Sequence, residues 1–218
     1  NRNLRMPKVP IISYTGETLL EEDRKVLENW FSGKIYGQYG SGEHHLSSAE
    51  CVYKSGYHVN PFFSYVESIK KDYGKEIIST SLDNNSMPLI RYRIGDSIEG
   101  IEYSKCKCGS TWPRLVGLSG RIDEFIETAL GKKISPLVLR TSISSKFSDM
   151  PKYSLIQHKN NNDYTLLLYT KRDLNDFIKV KSFLLDLLGN TANIKIKNKN
   201  PEKIENNVKH RIVYKENW

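Results

Sequence analysis

Apolar and polar positions along this chain change period several times, and each change predicts an element. Val9 to Ser13 is a short apolar run that reads as a buried strand. Thr18 and Glu21 form a Thr-x-x-Glu capping box ahead of a 3.6-residue period whose apolar face is Leu20, Val26, Leu27, Trp30 and Phe31. Gly33 stands where that helix stops, and Lys34 to Tyr36 reads as a second strand running into a glycine-bearing loop, Gly37 to Gly42. From Cys51 to about Ile101 the pattern turns to β segments: Phe63 to Ile69, Glu76 to Ser81 and Leu89 to Arg93, divided by turns such as Asp83-Asn84-Asn85. An antiparallel or mixed sheet is expected there.

Beyond Gly120 the order is different. Phe125 to Thr128 reads as a strand, and Pro136 opens a helix to about Phe147. Tyr153 to His158 and Tyr164 to Tyr169 alternate as a hairpin, Asp173 caps a helix through Leu188, and Asn193 to Lys197 is a last strand. This β-α-β-β-α-β order predicts a small ferredoxin-like α+β domain. The expected fold is therefore α/β in the broad sense, α+β mixed: a β-rich region over 1–121 and a small domain over 122–218, with the border near Gly120 to Glu124. No internal repeat is present, and the Lys/Asn-rich segment Lys195 to Lys209 is the one biased stretch.

Composition narrows the class. At 218 residues, 38% hydrophobic and 27% charged, the chain can bury a core, which argues against wholesale disorder. The net charge of +8 suits a polyanionic ligand such as a nucleotide, coenzyme A or nucleic acid, but suits a solvated basic surface equally well. No apolar run approaches the ~20 residues a membrane helix needs. Three cysteines and the absence of a basic-apolar-small leader make a disulfide framework a poor fit and favour a cytoplasmic setting. The first residue, Asn1, suggests a piece of a longer protein.

Three segments carry candidate chemistry. Tyr39-Gly40-Ser41-Gly42-Glu43 puts a ring, a flexible backbone and a carboxylate within five residues, a set able to stack a base, approach a phosphate and help hold Mg²⁺, or to be an ordinary turn. Pro88 to Asp96 reads as a strand that delivers Arg93 and then, across Gly95, an acidic group suited to a ribose diol; a strand with flanking charges and a helix or turn cap at Asp96 is the plainer role. Gly120-Arg121-Ile122-Asp123-Glu124 sets an arginine and an acidic pair at the expected border, as a nucleotide contact with a hinge or as a surface ion pair.

In this order and spacing the three segments resemble the adenylate-forming, acyl-CoA synthetase-like superfamily, and in particular its phenylacetate–coenzyme A ligase-like, capsular polysaccharide biosynthesis-type branch. The resemblance extends over Gly16-Glu17 to Glu43, Ser81-Leu82-Asp83 to Asp96, Cys106-x-Cys108-Gly109 with Pro113-Arg114, and Gly120-Arg121-x-Asp123. It implies that Tyr39, Gly40, Ser41 and Gly42 line the nucleotide, that Glu43 holds Mg²⁺, that Asp96 binds the ribose and that Arg121 contacts the nucleotide. Asp123 becomes the pivot between domains. Lys209, in Lys209-His210-Arg211, becomes the lysine of the acyl-adenylate step, with Val208 where the family has glycine. Gly42 replaces the family's hydroxyl side chain, and Ile94 a residue that is often threonine.

The family's Ser/Thr/Gly-rich phosphate loop and most of its acid pocket have no counterpart here, so the resemblance implies the C-terminal half of such an enzyme, catalytically crippled by itself. The implied reaction joins ATP and a small carboxylic acid into an acyl-adenylate, whose acyl group passes to coenzyme A or another acceptor as AMP leaves. No membrane or nucleic-acid partner is expected; a homodimer stays open.

Cys51-x6-His58 and Cys106-x-Cys108-Gly109 together use every cysteine and supply three thiolates and an imidazole, the complement of a closed tetrahedral Zn²⁺ site. Free thiols with a surface histidine are the alternative, and His44 or His45 could replace His58. A Glu-Cys…Gly-x-His segment recurs in the family and favours structural zinc. The rival function is a non-catalytic, zinc-stabilised binding module, either a degenerate ligase or one whose small domain contacts RNA or protein, although the ordered aromatics of an RNA-recognition motif are missing.

Overall fold

The computed structural model describes residues 7–42, 46–72, 74–160, 162–200 and 211–216. The chain divides into two compact units, Asn1–Gly120 and Arg121–Trp218. Among the described residues no helix is long and apolar enough to cross a membrane.

The first unit begins with β1 (Ile11–Thr15), α1 (Glu21–Phe31) and β2 (Lys34–Ser41). β1 and β2 pair in parallel, a geometry that needs a crossover, and α1 supplies it. Then follow β3 (Leu46–Glu50), β4 (Tyr57–Val59), β5 (Ser64–Lys71), β6 (Gly74–Ser81), β7 (Tyr92–Ile98), β8 (Gly100–Glu102), β9 (Arg114–Val116) and the short β10 (Gly120–Arg121), whose first residue is the last of the unit. One six-stranded sheet has the order β1-β2-β3-β4-β9-β8, and a four-stranded sheet has the order β10-β7-β6-β5. Their shared core is Leu46, Val59, Val66, Ile77, Ile94, Ile98 and Leu115. Ile77 and Ile78 are both buried, so β6 is covered on both faces, and each such side chain contributes roughly 1.5–3 kcal/mol by leaving water.

Three local expectations change. α1 begins with Leu20 at its N-cap and no side-chain cap, so Thr18-Glu21 is not a capping box; the acidic first turn Glu21, Glu22, Asp23 complements the helix dipole instead. The residue that α1 buries is Arg24, while Val26 and Trp30 of the expected apolar face are exposed. Gly37 to Ser41 is strand rather than loop, because β2 continues into a hairpin with β3.

The second unit contains a hairpin of β11 (Ile126–Glu127) and β12 (Lys133–Ile134), then α2 (Pro136–Ser144), β13 (Tyr153–Gln157), β14 (Asp163–Tyr169), α3 (Ile178–Leu188), β15 (Asn193–Lys199) and β16 (Val213–Lys215). Ser135 caps α2 by accepting the Val138 N–H, with Pro136 in the first turn. Asp173 caps not α3 itself but the 3₁₀ turn Leu174–Phe177 that feeds it. The sheet order is β15-β14-β13-β16. Its inner face (Leu155, Tyr164, Leu166, Leu168, Ile194, Val213) packs on Leu139 and Ile143 of α2 and on Val180, Leu184 and Leu188 of α3.

The mixed α+β layering holds, with one exchange of strands. The segment expected as the first strand of the sandwich pairs with β12 in a separate hairpin, and the late β16 takes the sheet edge beside β13. Two residues of β11 are too short to span the sheet, and Gln157 holds that hairpin down through the Glu127 backbone.

Candidate nucleotide site and metal centre

Tyr39 and Gly40 lie side by side on β2, opposite Ser48 and Ser47 of β3. Gly40 is required by the pairing: a Cβ there would lie 2.3 Å from the Leu46 carbonyl oxygen. Ser48 donates its hydroxyl to the Tyr39 carbonyl at 2.7 Å, and the Tyr57 ring meets Tyr39 edge-on, with centroids 6.3 Å apart. The Tyr39 backbone and ring are thus held from two sides. Ser41 ends the strand and Gly42 follows with open space around it. A hollow of about 260 Å³ lined by Leu46, Ser47, Phe63 and Asp83 lies beside this pair of strands.

Asp96 reaches this place by a distortion of β7. Between the paired positions Glu76↔Ser97 and Ile78↔Arg93, β6 has one residue and β7 has Ile94, Gly95 and Asp96. Gly95 takes up the bulge at φ +83°, a conformation that side chains resist. Asp96 is therefore within a strand rather than beyond its end, and Leu89-Ile90 is not strand at all; Ile90 is 74% exposed. The displaced carboxylate accepts the Tyr39 hydroxyl at 2.7 Å. Arg93 turns the other way and grips the buried Glu76 with two hydrogen bonds of 2.9 and 2.7 Å.

Beneath β2 lies a polar network that the sequence reading missed. Arg24, side chain 6% exposed, donates to both oxygens of Glu50 at 3.1 and 3.2 Å, to Tyr14 at 3.2 Å and to the Ile35 carbonyl. Glu50 also accepts the Gly37 N–H at 2.7 Å and faces the Lys54 ammonium at 3.2 Å. The Tyr57 phenol lies 3.3 Å from that of Tyr14; burial and this neighbour push its pKa upward, so it stays protonated. The signal was available: Arg24 stands one turn after Leu20, on the stripe that should have been apolar.

The four metal candidates converge. Cys51 follows β3, His58 stands on β4, and Cys106 and Cys108 follow β8; their ligand atoms lie within 4.8 Å of one another. Cys51 and Cys106 sulfurs are 3.5 Å apart, and Cys108 Sγ is 3.3 Å from His58 Nε2. His58 Nδ1 lies 3.2 Å from the Trp112 carbonyl, so the tautomer that donates there leaves Nε2 free to ligate. Turn hydrogen bonds from Gly109 N to Cys106 O and Cys106 N to Ser110 O shape the knuckle. Hydrogen bonds from Ser55 and the Cys108 backbone hold the Cys106 thiol down to about 5, and the Ser55, Tyr53 and His58 bonds outweigh burial in lowering Cys51, whereas, against its Ser110 backbone bond, burial and the Cys106 and Cys51 sulfurs push Cys108 up. Thiolates are the form a metal takes. The donor set, count and closeness fit a closed tetrahedral Zn²⁺ site.

Arg121 and Asp123 belong to the second unit, where they pair with each other at 3.1 Å, both more than half exposed. Glu124 meets Arg211 at 3.5 Å. Glu43, His44, His45, Val208, Lys209 and His210 lie outside the described residues. The structure thus brings Tyr39 together with Asp96, and joins the four metal candidates.

No family model matches the sequence, and no curated protein matches it. Solved structures do. A 2-hydroxyisobutyryl-CoA ligase in its postadenylation state superimposes with a TM-score of 0.65 at 18% identity, covering 89% of this chain and 45% of that one. The A domain of a carboxylic acid reductase from Segniliparus rugosus, in complex with AMP and a carboxylic acid, gives 0.60 at 10% identity over 89% of this chain and 34% of its own. Coronafacic acid ligase from Pectobacterium brasiliense gives 0.53 at 14% identity over 94% and 43%. Over the portions matched, the chain shares the fold of these three structures. It spans less than half the length of each of these three structures, and identities this low carry the fold alone.

Proposed function

We propose that the chain is the C-terminal part of an ATP-dependent acid ligase of the phenylacetate–coenzyme A ligase-like branch, which forms an acyl-adenylate and passes the acyl group to coenzyme A or another acceptor. The observation that carries this reading is the 2.7 Å hydrogen bond between Tyr39 and Asp96, which unites two of the three motif segments. Neighbours solved with 2-hydroxyisobutyryl-AMP, with that adenylate and coenzyme A, and with AMP support the substrate classes.

In this reading the Tyr39 ring covers the purine, and the Gly40–Gly42 backbone admits the phosphates without a Cβ in the way. Asp96 accepts the ribose hydroxyls, exchanging its Tyr39 partner for the diol or sharing it. Arg121 gives a guanidinium to the nucleotide, and Asp123, its ion-pair partner, is the pivot on which the small domain turns between adenylation and acyl transfer. Glu43 would hold Mg²⁺, and Lys209 would stabilise charge at the adenylation step. Mg²⁺, when bound, would neutralise phosphate oxygens. Cys51, His58, Cys106 and Cys108 would hold a Zn²⁺, whose role would be to tie β4 to the segments that follow β3 and β8.

The test is acid-dependent ATP–pyrophosphate exchange by the complete gene product, screened over aryl, fatty and hydroxy acids. Exchange with one acid class, lost in Asp96→Ala, is expected. No exchange with any acid, together with RNA binding that weakens steeply with salt, would replace this reading with the zinc-stabilised binding module.

A further inference from the structure

Arg114 is an unusual neighbour for a group of cysteines. It stands on β9, directly opposite His58 on β4 and Glu102 on β8. Its side chain is 7% exposed. One arm of the guanidinium donates to Cys106 Sγ at 2.7 Å and to Ser55 Oγ at 2.9 Å, and Ser55 Oγ in turn lies 3.5 Å from the same sulfur. The other arm reaches Glu102, whose side chain is half exposed. The Nε–H is buried with no hydrogen-bond partner, so this arginine is not placed for its own satisfaction.

A permanently charged guanidinium driven to a sulfur in the interior is costly if that sulfur carries its proton. It becomes favourable when the sulfur is an anion, and a Zn²⁺ bound by three thiolates and one imidazole has a net charge of −1. Glu102 answers only the other arm of the guanidinium, and water screens its half-exposed carboxylate, so the arm buried against Cys106 is left to the sulfur. Lys105 and Lys107 lie in the knuckle but are exposed.

We infer that Arg114 is the counter-cation of the Cys51-His58-Cys106-Cys108 centre, a positioning residue whose buried guanidinium, held on the Cys106 sulfur, offsets the negative charge of the ligand set and favours a divalent ion. A monovalent soft ion such as Cu⁺ with the same three thiolates would leave −2 beside one guanidinium. The inference rests on the zinc reading of the site and adds a fifth residue that touches a ligand but not the metal.

The experiment uses the full chain, with zinc affinity measured against a chromogenic chelator and with Co²⁺ as a spectroscopic probe. In the unaltered chain one Zn²⁺ per chain and a tetrahedral thiolate Co²⁺ spectrum are expected. Arg114→Met keeps the aliphatic stem and all four ligands; it should retain the tetrahedral Co²⁺ bands but lose zinc affinity by about 10- to 100-fold, as outer-shell changes do. Arg114→Lys should recover part of that loss, and it also serves should the Met variant fail to fold. Glu102→Gln should leave the affinity within a factor of two.

Zinc affinity unchanged in both Arg114 variants would overturn the counter-cation role while leaving the metal site standing. No zinc bound by the unaltered chain would overturn both. A fall in thermal stability of equal size with and without zinc would mark Arg114 as packing only, and would also count against the inference.

Discussion

Gly33 lies so close to Val9 that a single added carbon would collide: a Cβ on Gly33 would stand 1.7 Å from the Val9 carbonyl oxygen and 3.0 Å from that of Pro10. Lys34 N donates to that Pro10 carbonyl at 2.9 Å, and Val9 N to Phe31 O at 2.9 Å, so the end of α1, the start of β2 and the lead-in to β1 are tied at one point. Gly33→Ala should therefore cost at least ~2 kcal/mol, in the range of a backbone clash, measured by urea unfolding. Gly42→Ala, with nothing within 4 Å, should stay within about ±0.5 kcal/mol. Equal effects would refute the close approach.

The same open space makes Gly42 the position to restore. Gly42→Thr should fold as well as the original and supply the hydroxyl that the ligase resemblance expects there. In the complete gene product it should raise ATP affinity or the exchange rate by several fold. A fall in exchange would show that the Gly40–Gly42 backbone, not a side chain, is what the phosphates need.

Arg24 and Glu50 form a pair whose side chains are 6% and 10% exposed. Glu50→Gln leaves the guanidinium with only the solvent-exposed Glu21, 3.4 Å from its Nε, and should destabilise the chain by about 2–4 kcal/mol. Arg24→Met with Glu50→Gln should recover a substantial part, because the uncompensated charge is gone. Additive losses in a double-mutant cycle would contradict direct coupling.

Metal removal should act on the first unit. Chelation, or Cys108→Ser, is expected to lower its melting temperature by several degrees and raise the hydrogen-exchange rates of β3, β4 and β9, with little change in β13 to β15. Uniform change across both units would argue against a local staple.

Tyr39→Phe removes the donor to Asp96 but keeps the ring. It should cost only about 1 kcal/mol in stability, and in the complete gene product it should weaken nucleotide binding far less than Asp96→Ala, read by calorimetry with AMP. Similar losses would mean that the hydroxyl, rather than the stacking face, is what the nucleotide uses.

Local rules were enough for much of this. Period and turn residues placed the hairpin of Tyr153–Gln157 and Asp163–Tyr169, the helix opened by Pro136 and the strand at Gly74–Ser81, because each is decided by neighbours within a few residues. The members of the Cys/His cluster were also legible from residue type, although the long interval between its two halves says nothing by itself. Three-dimensional packing decided the rest. Arg24 is inside because Glu50, twenty-six positions away, neutralises it. Asp96 faces Tyr39 because a bulge at Gly95 turns it. β11 leaves the sheet because β16 pairs with β13 instead. Each of these depends on a partner remote in sequence, and no periodicity records which partner the folded backbone will bring near.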